Sequence, residues 1–492
     1  MSQNILPLLI IGIYMFIPLW IGAKAGEHEL PTPEDFFVQS RSMKPLAVFF
    51  TVQATWWSTF AFFGSNAYFY EKGPVYWTTI AWDFLFGILF FLIGKPIWFY
   101  GKKNNYITAS DFFRDMYGSE FLGNLVTFIT VLFTMPYLQI QLAGVAYLIE
   151  IASKELIPWE MGGFIFCVVV IIYVWTGGLR AVAWADIFYE VLILLGAILG
   201  GIFIITKVGG IHTLFHTLKE TAPEALTLPG PTGEAGPMLW ISMFLLVPIG
   251  AMMGPPLWTR MYAVNSPQVF NLMPFLLGFV GIVNIAPMLI GNAGILLVPD
   301  LQKPDSLLPV MLFQYAPFTL ASLILTGGAA AAMSTSNSQI HAIASVYTMD
   351  IHKRYINKGI DNTHLIRIAR WSILIFTIFS YVLTIHIPGL LIQIGLIALS
   401  GTAQLIVPTA GALFWKRSTA QGALAGLLGG IICLSLFTFV PAIHLPYEIH
   451  PGLAALFLNT LLFIIVSFVT PMRNASILAK FEEQRNIFNN NH

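Results

Sequence analysis

Two short stretches of this chain hold residues that free backbone groups for ligation inside long apolar runs. "FFGSNAYFYEKG", from Phe62, carries Gly64, Ser65 and Asn66, which would interrupt a helix there. "GAMMGPPLWTR", from Gly250, carries Gly254, Pro255 and Pro256, with Pro248 just before it. A proline removes a backbone donor and crowds the preceding turn, so carbonyls are left unpaired. At membrane depth such backbone is tolerated only inside protein or beside a water-filled cavity, where it can hold an ion or a polar solute. Asp83 stands well inside another apolar run, and an intramembrane acid is a functional candidate by default. Competing chemistries lack their residues. The His residues are scattered, and no transition-metal spacing, phosphate-cradling glycine loop or Ser/His/Asp set stands out. An enzyme is therefore not expected.

The elements that must position these residues follow from composition. The 492-residue chain is 57% apolar and only 10% charged, where a soluble domain has about 25% charged residues. Such a chain reads as a polytopic, all-α membrane protein with the lipid bilayer as its surroundings. Its formal net charge of zero points away from nucleic acid. Cys167 and Cys433 sit in apolar runs and read as small core residues.

A helix crosses the hydrocarbon in about 20 residues. Thirteen runs qualify: Ile5–Ala23, Leu46–Tyr70, Val75–Tyr100, Phe121–Ile149, Gly162–Gly177, Val182–Val208, Met238–Tyr262, Leu272–Val298, Phe318–Tyr347, Trp371–Ile385, Gly389–Trp415, Gly422–Val440 and Leu453–Thr470. The first lacks a basic leader and a cleavage pattern, so it is expected to be a retained helix. With the N-terminus outside, alternate loops collect most of the Lys and Arg on the inner side, including Arg41, Lys102, Lys103, Arg260, Lys353, Arg354, Lys416 and Arg417. The positive-inside rule then predicts a multi-pass plasma-membrane protein with a cytoplasmic C-terminus. The Pro/Gly-rich stretch from Ile211 to Gly236 is expected outside, over the outer face.

The two interrupted runs are the second and the seventh, five spans apart. Five is odd, so equivalent helices run in opposite directions, which is the signature of two inverted five-helix repeats with a site at their interface.

Several stretches resemble the sodium/solute symporter family. They are "YVWTGGLRAVAWADIFYEVLILLGAILGG" from Tyr173, "AAAAMSTSNSQIHAIASVYTMDIHKRY" from Ala329, "LFWKRSTAQGALAGLLGG" from Leu413 and "EDFFVQSRSMKPLAVFFTVQAT" from Glu34. Together they cover nearly the whole chain in order. The resemblance implies a LeuT-like fold with about 13 helices and broken helices two and seven. The chain then divides into residues 1–43 (first helix and loop), 44–208 (repeat one), 209–236 (outer loop), 237–415 (repeat two) and 416–492 (last two helices and tail).

The resemblance also implies a sodium site, with Na+ as coupling ion. Its ligands would be the carbonyls of Ala54, Trp57 and Ala331 and the hydroxyls of Ser334 and Thr335. A hard cation of this kind takes about five or six oxygen donors. Ala331, Ser334 and Thr335 fall at i, i+3 and i+4, on one helix face, which is physically sensible without the family. Some members have a second sodium site, whose matching positions here are Asp186, Ser334, Asn337 and Ser338. The solute would lie between the breaks, near Gln53, Trp56, Ser58, Asp83, Tyr137, Gln141, Met252, Met253 and Trp258. The amino-acid transporting branch carries an acid where Trp56 stands, so the adjacent tryptophans suggest a narrow aromatic pocket. With no positive side chain there, an anionic solute would rely on helix N-termini or on bound sodium. Arg260, at the inner end of the seventh run, would snorkel to the interface or help to close an inner gate.

These readings lead to a sodium-coupled symporter that imports a small organic solute by alternating access, with a lean to a carboxylate-bearing one of monocarboxylate, pantothenate or amino-acid type. The alternatives are a solute sensor built on the same fold and a proton-coupled carrier. The sensor would need a signalling domain or partner. The carrier would need a protonatable group at the sodium position.

Overall fold

The computed structural model describes residues 2–27, 30–176, 178–233, 235–387, 389–440 and 445–491. Gly177, the end of the fifth run, lies outside them. The described residues are helical almost throughout, and an isolated bridge between Met43 and Val264 is the one β-type pairing among them.

In chain order the spanning elements are α1 (Ser2–Gly26), α2 (Pro45–Trp56), α3 (60–72), α4 (79–104), α5 (Glu120–Ala152), α6 (Trp159–Thr176), α7 (Leu179–Val208), α8 (Pro237–Met253), α9 (Pro255–Ala263), α10 (Gln268–Leu297), α11 (Phe318–Ile356), α12 (Asn362–His386), α13 (Leu391–Phe414), α14 (Ala420–Phe439) and α15 (Pro451–Val469). Each of the thirteen apolar runs coincides with one of these helices or a consecutive pair. Length and apolarity alone qualify ten helices as spans among the described residues, or eleven with the bent pair α8–α9. The difference has two sources. Residues Phe60–Asn104 count once although Gly73, at φ +60°, turns the chain between α3 and α4. Helix α6 is a shorter apolar helix.

Both broken spans are visible, but the first break is not where the glycine predicted it. Gly64 and Ser65 keep right-handed helical angles, inside and after a π-helical turn over Phe60–Gly64. The chain leaves the helix at Trp57 (φ −79°, ψ 95°). Ser58 then restarts it as a cap: its Oγ accepts the Phe60 N–H at 3.1 Å, and its carbonyl accepts the N–H groups of Ala61 and Phe62 at 3.0 and 2.9 Å. The second break falls at Gly254 (φ −65°, ψ 144°), where α8 and α9 meet at a bend of 56°. Pro255 opens α9 at a position where its missing N–H costs nothing.

The helices pack in a pattern that maps onto itself when α2–α7 are exchanged with α8–α13 in order. Helix α7 packs on α2 as α13 packs on α8; α7 packs on α11 as α13 packs on α5. Helix α4 packs on α8 as α10 packs on α2, and α4, α5 and α6 each meet their own counterparts, α10, α11 and α12. This is the inverted-repeat architecture expected of odd-numbered spacing between equivalents. Helices α14 and α15 pair with each other beside it. The stretch after α7 forms a helix, Ile211–Thr221, and a turn over Pro223–Leu226 that packs on the Gly73–Thr78 turn between α3 and α4.

Candidate functional site

The break at Trp57–Ser58 redirects backbone groups towards α11. The Thr59 N–H, which in an unbroken helix would bond the Thr55 carbonyl, donates instead to Oε1 of Gln141 on α5 at 3.1 Å. The Thr59 hydroxyl donates to the same oxygen at 2.8 Å. On the other side, the Ser334 hydroxyl lies 2.7 Å from the Ala54 carbonyl and 3.1 Å from the Ala331 carbonyl. The Thr335 hydroxyl lies 3.4 Å from the Ala54 carbonyl and 3.3 Å from the Thr55 carbonyl. Ala54, Ala331, Ser334 and Thr335 have no exposed surface. Ala54, Ala331, Ser334 and Thr335 thus come together as the sequence predicted, with Trp57 at the break itself, beside them in the chain. The Thr55 carbonyl joins the group and was not foreseen. Hydroxyls and carbonyls of this kind form a hard-oxygen cradle suited to Na+ without burying a fixed charge.

The second proposed set is differently occupied. Arg260 is not at an interface: it is fully buried. Its Nη2 lies 3.1 Å from Asp186 Oδ2 and 2.6 Å from the Ser338 hydroxyl, its Nη1 3.0 Å from the Pro256 carbonyl, and its Nε 3.1 Å from the Thr51 carbonyl. The Ser338 hydroxyl also pairs with the Thr55 hydroxyl at 3.0 Å. A guanidinium therefore supplies the positive charge between Asp186 and Ser338, where a second sodium was expected, and the snorkelling expected of Arg260 is corrected. Asp186 pairs with Arg260, and Arg180 pairs with Asp35 at 3.0 Å. Asn337 is buried, with both polar side-chain atoms unbonded among the described residues, and does not join the pair.

Between the two breaks lies a cavity of about 30 Å³, room for roughly one water. Thr55, Trp56, Phe133, Thr134, Tyr137, Gly250, Gly254, Pro255, Gln339 and Thr402 are among its walls. Of the predicted solute residues, Trp56 and Tyr137 line it. Ser58 sits behind Tyr137, its hydroxyl 3.2 Å from the phenol. Gln53 and Trp56 both donate to Asp83 Oδ1 at 3.1 Å, and Asn284 donates to Asp83 Oδ2 at 2.7 Å. Asp83 thereby has a donor on each oxygen and orients the Trp56 ring, which stacks on Phe86 at 4.7 Å. Gln141 is committed to Thr59. Met252 and Met253 are absent from the cavity wall, and Met253 sulfur instead meets the Thr409 hydroxyl at 3.6 Å. Trp258 packs among Phe112, Phe113 and Tyr262, away from the cavity. Phe133, Thr134, Gln339 and Thr402 were missed. Thr134 stands one turn before Tyr137, and Gln339 one turn after Thr335, so extending the helical face would have found both.

A family model described as the sodium:solute symporter family matches residues 36–430. The chain belongs to that family. The symporter is 25% identical over 483 residues to an uncharacterized symporter of Bacillus subtilis, YhjB, covering 95% of this chain and 98% of the relative. It is 26% identical over 455 residues to the sodium/pantothenate symporter of Escherichia coli, covering 90% and 92% of the two chains. Among solved structures, a substrate-bound outward-open Na+-coupled sialic acid symporter superposes with a TM-score of 0.81 at 21% identity, covering 95% of this symporter and 98% of that chain. The fold is accordingly LeuT-like, and the protein is a multi-pass Na+-coupled secondary transporter rather than an enzyme.

Proposed function

We propose that this symporter uses sodium held by the carbonyls of Ala54, Trp57 and Ala331 and the hydroxyls of Ser334 and Thr335 to import a small organic solute across the plasma membrane, with its N-terminus outside. The observation that carries the reading is the approach of both hydroxyls to carbonyls that the break at Trp57–Ser58 removes from helical pairing. Sodium bound there joins α2 to α11. It favours whichever state brings those helices together, and the coupling is that difference in affinity between states. The two repeats are proposed to span 44–208 and 237–415, with 1–43, 209–236 and 416–492 outside them. A second sodium at Asp186, Asn337 and Ser338 is not proposed, because Arg260 already neutralises Asp186.

The solute is proposed to enter where Trp56, Tyr137, Thr134, Gln339 and Thr402 now close the cavity between the breaks. A carboxylate-bearing solute remains the preferred class, with its counter-charge narrowed. The helix ends offer little: α9 begins with two prolines, which have no N–H, and the Thr59 and Phe60 N–H groups at the start of α3 are already bonded. Arg260 is fully engaged. Sodium is then the partner for the carboxylate, and Gln339, Thr134 and Thr402 offer hydrogen bonds to the rest. The sodium/pantothenate relative supports a solute of this kind.

A thermal-shift screen of monocarboxylates, pantothenate and amino acids, each with sodium and with choline, tests the reading. The expected result is a solute that stabilises the protein only in sodium. A solute that binds tightly and equally in choline would sink it.

A further inference from the structure

Glu190 lies on α7, one turn beyond Asp186, and has no exposed surface. Neither of its carboxyl oxygens has a hydrogen-bond partner among the described residues. Two other buried acids, Asp83 on α4 and Asp186 on its own helix, stand within electrostatic reach. They differ from it in one respect: Asp83 is held by Gln53, Trp56 and Asn284, and Asp186 by Thr51 and Arg260. Nearby acceptors are also left over, since Asp186 Oδ1 and Gln53 Oε1 have no donor among the described residues. An isolated carboxylate in a low-dielectric interior is strongly disfavoured, and a group so placed takes up a proton or a cation. Arg260 cannot serve, because its donors face Thr51, Pro256, Asp186 and Ser338.

We infer that Glu190 is a proton-binding site whose proton is taken from water in the sodium-free protein and returned when sodium binds. The exchange half rests on the sodium site proposed above. Ser338 on α11 donates to the Ser334 carbonyl and is bonded by Arg260, which pairs with Asp186 one turn from Glu190, so the two cations act on one charge cluster. The charged groups that act on Glu190 are Asp186 on α7 and Asp83 on α4, with Arg260 on α9 paired to Asp186. Of the other helices packed on α7, α2 and α10 carry no titratable side chain, and the one charged side chain of α1, Lys24, is exposed. His341 on α11 turns away to the Phe36 carbonyl, at 2.9 Å. The sign follows from charge. A protonated Glu190 removes one negative charge from the cluster, so acid weakens sodium binding; bound sodium in turn favours loss of the proton.

Two measurements on the purified full-length protein test this. Infrared spectra in choline buffer at neutral pH should show the carbonyl stretch of a buried protonated carboxylic acid, lost in Glu190→Gln and kept in Asp83→Asn. An unchanged band in Glu190→Gln overturns the proton site, and so does a wild-type spectrum without it, which would mean that a cation sits there instead. Sodium chloride titrations followed by tryptophan fluorescence should show apparent sodium affinity falling as pH falls, by up to tenfold per pH unit, and no such slope in Glu190→Gln. Sodium binding with the same slope in both proteins overturns the exchange, and so does a wild type with no slope. A wild type that shows the infrared band but no sodium response overturns the exchange and the sodium site together, leaving the proton site standing. Glu190→Gln mimics the neutral acid in shape and is expected to fold; should it not, the wild-type band and its loss on adding sodium chloride decide alone.

Discussion

The two broken spans occupy equivalent places in the two repeats, yet they do different work. The α2–α3 break is made without glycine or proline. It opens at Trp57 and is held by Ser58, by Gln141 on α5, and by Ser334 and Thr335 on α11. The α8–α9 break is made by the chain itself, through Gly254, Pro255 and Pro256, and is braced by backbone. The Thr402 hydroxyl lies 2.8 Å from the Gly250 carbonyl, and a Cβ on Gly250 would sit 2.2 Å from the Leu399 carbonyl. Where α7 meets α2 the Thr51 hydroxyl bonds the Asp186 carboxylate; where α13 meets α8 the contact is a close approach of two main chains. A pseudo-symmetric scaffold thus carries the proposed cation site on one side and a rigid bend on the other.

This contrast can be broken most sharply at Asp186. Asp186→Ala leaves Arg260 buried without its counter-ion, and should cost about 3–5 kcal/mol, read as a large fall in thermal stability with or without sodium. Next comes the backbone contact. Gly250→Ala must push α8 and α13 apart at a cost of about 1–3 kcal/mol. Gly64→Ala meets only side-chain atoms of Ile392 and Leu391, at 3.0 Å or more, and should cost less. Equal losses at the two glycines would erase the distinction between the breaks. Ser334→Ala/Thr335→Ala should cost about 1–3 kcal/mol of sodium-free stability, because two buried hydroxyl bonds are lost, and should also reduce apparent sodium affinity at least tenfold, about 1.4 kcal/mol. Full retention of sodium affinity would move the ion elsewhere. The smallest effect is expected for Thr402→Val, which removes one hydroxyl bond on the bracing side. A loss of about 0.5–1.5 kcal/mol in stability with unchanged sodium affinity would confirm that this break does not ligate.

Much of the scaffold was legible because its signals are local. Apolar runs of spanning length marked every span, and Pro255 and Pro256 marked the second break within a residue, since proline acts on its own turn. The first break was misplaced by about two turns. Gly64 looked like a breaker, but a π-helical turn absorbs it, while Trp57 and Ser58 carry no conformational signal stronger than a serine cap. What opens the helix there is the Gln141 side chain capturing the Thr59 N–H, a contact across 82 residues of sequence. One of the two readings of Arg260, snorkelling, failed for a related reason. Its place near a span end suggested snorkelling, and nothing nearby in sequence announces Asp186 and Ser338. Glu190 was passed over although it stands inside the run Val182–Val208, where an acid is a candidate by default; its lack of a partner is a tertiary fact.

The sequence by itself determined that this protein crosses a membrane many times, that it is built as an inverted repeat with two interrupted spans, and that Ala331, Ser334 and Thr335 share one face. Composition and helical periodicity are properties of neighbouring residues, so they survive without coordinates. Only the tertiary structure decided which oxygens meet at the proposed sodium cradle, which cation neutralises Asp186, and which acid is left without a partner. Each of those depends on helices distant in the chain arriving at one buried point, where the low dielectric makes every satisfied or unsatisfied polar atom count.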